Sequence, residues 1–76
     1  MKHYETKDLY EASAISLQEQ IISLEEVNDH YVFVFNDQAR KIADMYWSNK
    51  LTGNIFEYAQ CVRNLKDRIF SKIRCK

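Results

Sequence analysis

Proline is absent from this chain of 76 residues, glycine occurs once and cysteine twice. A phosphate-cradling loop needs several glycines so that backbone amides can approach the ligand, and Gly53 alone cannot build one. If the two cysteines, Cys61 and Cys75, lie on one continuous helix, 14 positions separate them by about 21 Å. A disulfide needs Cα atoms within about 7 Å, so free thiols in a reducing compartment are expected. No apolar run approaches the ~18 residues that span a bilayer. The start, MKHYETKDLY, has no greasy stretch after its first lysine, so no secretory signal is read there. The expected compartment is the cytoplasm. Net charge is lacking too, with 11 basic and 11 acidic side chains.

What is present is a foldable mixture: 46% apolar and 13% aromatic residues, enough for one domain over residues 1–76 but hardly for a deep pocket. The charges are unevenly placed. Residues 1–38 carry Lys2 and Lys7 against eight carboxylates, whereas residues 39–76 carry nine cations against Asp44, Glu57 and Asp67. Such a split points either to a partner or to attraction between the two halves.

Thr6-Lys7-Asp8-Leu9 reads as a helix start, with Thr6 accepting from a first-turn amide and Asp8 opposing the positive helix end. Leu9, Ala12, Ser13 and Ser16 then share a face, with Leu17 beside it. His3-Tyr4-Glu5 before it suits a short edge strand. Residues 21–35 form the clearest local pattern, a β-hairpin turning at Asn28-Asp29, which tolerate the positive φ of a two-residue type I′ turn. That loop pairs Val27 with His30, Leu24 with Phe33 and Ile22 with Phe35. One face would hold Ile22, Leu24, Tyr31, Phe33 and Phe35, the other Ile21, Ser23, Glu25, Val27, His30, Val32 and Val34.

Asn36 and Asp37 both suit the cap of a second helix from about Gln38 to Ser48, with Ala39, Ile42, Ala43 and Tyr46 on its apolar arc. Asn49 to Gly53 breaks it. Asn54-Ile55-Phe56-Glu57 is a variant capping box, opening a third helix whose stripe is Ile55, Tyr58, Ala59, Val62, Leu65, Ile69 and Ile73. The order (β)αββαα predicts a two-layer α+β domain, a small antiparallel sheet covered by helices.

The series Thr6-x-Asp8-Leu9-x-x-Ala12, Phe33-x-Phe35-x-Asp37, Tyr46-Trp47 and Leu65-Lys66-x-x-Ile69 resembles a family of small bacterial and phage-associated domains of unknown function. The likeness spans positions 5 to 70 and rests on the order of its motifs. In that family a glycine closes the first helix, where this chain has Leu17-Gln18-Glu19-Gln20. The resemblance implies the same element order and carries no catalytic residue, cofactor or activity.

Chemistry is sparse. His3, His30, Cys61 and Cys75 lack zinc-ligand spacing, and no base lies near Cys61 in sequence to activate it. Glu25 and Glu26 are strand neighbours and point to opposite faces, so they cannot grip one substrate. Neither an enzyme, a cofactor, a small-molecule substrate nor a membrane partner is expected. Two kinds of partner are. The first is a protein or a second copy, meeting the face that carries Val32 and Val34. The second is nucleic acid, bound through Arg63, Lys66, Arg68 and Arg74, although on a helical wheel Arg63 and Arg74 lie on one side and Arg68 on the other. A further surface of Glu11, Glu19, Glu25 and Asp29 could meet a basic protein. Tyr46 and Trp47 are read as core or its rim.

Overall fold

Six elements follow one another in the computed structural model, which describes residues 3–74 and, for side chains, residues 3–72. They are β1 (His3–Thr6), α1 (Leu9–Ser16), β2 (Ser23–Val27), β3 (His30–Asn36), α2 (Ala39–Trp47) and α3 (Ile55–Arg74). The sheet is antiparallel with β3 in the centre, between β1 and β2. All three helices lie on one of its faces, giving a two-layer α+β domain only 17 Å deep along its shortest axis.

The hairpin forms for the reason its sequence states. Asn28 and Asp29 take φ of 51° and 68°, the left-handed pair that a two-residue turn requires. Val27 then faces His30 and Leu24 faces Phe33. Phe33 and Phe35 are 1% and 0% exposed, beneath Ala12 and Ile15 of α1, Ala39, Ile42 and Ala43 of α2, and Leu65 of α3.

The expected pairing of Ile22 with Phe35 does not occur. Strand β2 begins at Ser23, opposite Val34, and the Ile22 amide donates to that same Val34 carbonyl at 2.7 Å. Two residues facing one is the arrangement of a β-bulge, which shifts the side-chain alternation by one position. Ile21 therefore packs on the core, while Ile22 is 51% exposed.

Helix starts differ in detail from their sequence signals. Thr6 does not cap α1, because it is the last residue of β1, paired with Phe33. Asp8 takes that role, its Oδ1 accepting from the amides of Tyr10 and Glu11 at 2.8 and 3.0 Å. At α2 neither Asn36 nor Asp37 is the cap residue; Gln38 is, without a side-chain bond, and Asn36 accepts from the Gln38 amide. Asn54 behaves as its box predicts, accepting from the Glu57 amide at 3.0 Å. Helix α2 ends with Asn49 at φ 60°, its amide donating to the Tyr46 carbonyl and that of Lys50 to Met45. This is a Schellman closure with asparagine in glycine's usual place.

Candidate functional site

Helix α1 follows β1 after a link of only Lys7 and Asp8, so its first turn folds back over the strand it has just left. Glu11, in that turn, is carried under the surface and is 3% exposed. Burying a carboxylate is costly unless donors replace its water. Here three do: the Tyr4 hydroxyl at 2.6 Å, the Thr6 hydroxyl, and the Trp47 indole N–H at 2.8 Å. Glu11 thus ties β1, α1 and the end of α2 together. It is not part of an exposed acidic surface, as its sequence neighbours suggested, because two long aromatic donors from other elements close over it. The Arg40 guanidinium lies 5.5 Å above the Tyr4 ring. Burial, then the hydrogen bond to Glu11 and the Glu11 and Asp44 charges, push the Tyr4 phenol up to about 12 against an opposing effect of Arg40.

Over this tie stands an aromatic surface. Trp47 uses its N–H internally yet is 63% exposed, and its ring meets Tyr46 edge-on at 5.0 Å and 78°. Tyr46 also lines a groove of about 260 Å³ with Ala14, Leu17, Leu51, Ile55 and Tyr58. Tyr58 donates its hydroxyl to the Tyr10 carbonyl at 3.3 Å, joining α3 to α1. Burial first, then Tyr46, Asp8 and Tyr10, raise the Tyr58 phenol above its ordinary value. Beside this cluster Tyr10 is 53% and Ile55 85% exposed, and Phe56, next to Ile55 in the chain, is 72% exposed.

The apolar stripe expected on α3 is only partly covered. Leu65 is buried, Tyr58, Val62 and Ile69 are half-buried, and Ile55 and Ala59 face solvent; the Ile73 side chain lies outside the described residues. Helix α3 packs on α1, which lies between it and α2. One flank of α3 therefore docks and the flank through Ile55, Ala59 and Val62 does not.

Val32 and Val34 sit on the sheet face away from the helices, as the register requires, but they are 7% and 4% exposed. The open apolar pair expected there is not found. Val34 lies between Glu5 and Ser23, and Val32 beside Glu25, on the central strand of the sheet. Arg63 and Lys66 line a groove with Ile55, Tyr58, Ala59 and Val62. Arg68 instead lies with Lys72 beside Ser23 and Leu24 of β2. The Arg74 side chain and Cys75 lie outside the described residues. The structure brings Arg63 and Lys66 together and separates them from Arg68.

Cys61 is half-buried and free, and burial followed by the Glu57 charge pushes its thiol up, away from the reactive thiolate. Among the described residues no three His, Cys, Asp or Glu side chains gather as metal ligands, and no helix is long and apolar enough to cross a membrane. Sequence reasoning missed Glu11 and the exposure of Ile55 and Phe56. The one available signal was Ile55-Phe56 just inside a helix start, two large apolar residues that cannot both face one core.

No protein-family model matches this chain, and no curated protein or solved structure matches it either.

Proposed function

We propose that this chain is a non-enzymatic protein-interaction module whose docking surface is the aromatic end formed by Tyr10, Trp47, Ile55 and Phe56. The observation that carries the reading is their joint exposure, between 53% and 85%, around a cluster joined by Tyr46 and Tyr58. At roughly 200 Å² for a large side chain, these four offer about 550 Å², near the upper end of the largest apolar patch on an ordinary monomer. Tyrosine, tryptophan and phenylalanine are also the residues enriched where proteins meet. The Trp47 ring is held in place by its bond to Glu11, so little side-chain freedom remains to be lost on binding. The module would work in the cytoplasm, where Cys61 stays reduced.

Nucleic acid is the weaker reading, because the cations divide between two flanks of α3 rather than forming one stripe. The test is capture by the immobilised full chain, challenged with native lysate and with free copies of itself. An Ile55→Lys, Phe56→Ser variant should lose the bound protein at least tenfold while melting at the same temperature. Equal capture by both, or none by the wild type, would remove the reading.

A further inference from the structure

We propose that the occupant of the aromatic end is a second copy of the chain, docked about a two-fold axis; this rests on the interaction reading above. The surface has two unlike halves. The α1–α2 half presents Tyr10 and Trp47 with Asp44, which lies one turn before Trp47 on the same flank of α2. Buried Glu11 accepts from the edge of the indole, and its three hydrogen-bond donors are neutral groups. Arg40, the cation on that flank, is already held by Asp37 at 3.5 Å and by the Tyr4 ring. The α3 half presents Ile55 with Arg63 and Lys66 in a groove without a carboxylate, and exposed Phe56 follows Ile55 in the chain. Among the described residues neither cation has an ion pair; Arg63 reaches only Gln60, at 3.4 Å.

One half is thus aromatic and anionic, the other apolar and cationic. In an isologous contact, residue i of one copy meets residue j of the other and j meets i. A two-fold axis between the halves therefore sets Arg63 and Lys66 of each copy against Trp47 and Asp44 of its partner. Guanidinium or ammonium over an indole face is the favourable cation–π geometry, and Asp44 adds an opposite charge. A formal net charge of zero means that two copies do not repel at long range. The area is also adequate. The four exposed side chains supply about 550 Å² of the roughly 800 Å² per partner of a standard interface. Half-buried Tyr46, Tyr58 and Val62 border them.

Light scattering and sedimentation of the full chain, up to about 1 mM, test this. The wild type should be a concentration-dependent dimer, and its single tryptophan should shift its emission to the blue as the dimer forms. Asp44→Lys, and separately Arg63→Glu with Lys66→Glu, should each weaken the dimer at least tenfold with unchanged melting. Mixed one to one, the two variants should dimerise again, because a reversed charge pair forms at one contact and the native pair at the other. A wild-type monomer at the highest concentration, an unaffected dimer in either variant, or a mixture that stays monomeric would each overturn the proposal. A monomer that still captures another protein through Ile55 and Phe56 would leave the interaction reading standing. A dimer indifferent to Ile55→Lys with Phe56→Ser would remove the aromatic end from both.

Discussion

Trp47 donates its indole N–H to Glu11 Oε2 at 2.8 Å, joining the last residue of α2 to the first turn of α1. One side chain is mostly exposed and the other is buried, so this bond places a large apolar ring on the surface by anchoring its polar edge below. Removing Glu11 leaves the Tyr4, Thr6 and Trp47 donors without their shared acceptor. Glu11→Leu should cost about 2–4 kcal/mol in urea unfolding. Trp47→Phe, which leaves the carboxylate short of one donor, should cost about 1–2 kcal/mol. A Glu11→Leu chain as stable as the wild type would show that the buried tie contributes nothing.

The Tyr4 phenol sets an alkaline limit. Folded it titrates near 12, whereas in the unfolded chain it titrates near ~10. Between those values the folded state keeps a proton that the unfolded state has lost, so stability falls as pH rises, by at most about 1.4 kcal/mol per pH unit for one group. The contribution is whole below ~10 and gone once pH has passed through 12. Tyr58, raised chiefly by burial, acts in the same direction. Unfolding measured across this range should show the decline, and Tyr4→Phe should flatten it.

The two candidate caps separate cleanly by substitution. Asp8→Ala removes the acceptor of two first-turn amides and should lower stability by about 1 kcal/mol. Asp37→Ala loses only an exposed pair with Arg40 at 3.5 Å, and should change it by less than about 0.5 kcal/mol. Urea midpoints of the two variants, compared side by side, decide the matter.

Asp29 occupies the second left-handed position of the hairpin turn, at φ 68°. Glycine reaches that conformation without steric cost, so Asp29→Gly should stabilise by about 0.5–1 kcal/mol, a rise of several degrees in melting temperature for a domain of this size. Asp29→Val should lower it, because β-branched residues resist positive φ. Calorimetry of both variants measures the effect.

Much of the architecture was legible along the chain because its signals are short-ranged. Asn28-Asp29 dictated the turn, and the turn dictated the register that buries Phe33 and Phe35 together. Asn54 announced its helix, and Ala39, Ile42 and Ala43 marked the buried side of theirs. Where the reading failed, the deciding partner was distant. Ile21 and Ile22 exchanged roles because the Ile22 amide donates a hydrogen bond to the Val34 carbonyl, and Val32 and Val34 lie buried on the central strand.

The candidate site belongs wholly to the second kind. Turn geometry, capping and periodicity act over a few residues and follow from the order of amino acids. Whether Glu11 is buried depends on Tyr4 and Trp47 arriving from two other elements. Whether Ile55 is exposed depends on α3 packing against α1 through one flank alone. Side chains far apart in sequence settle those questions, since burial is a property of the assembled layers and not of any segment.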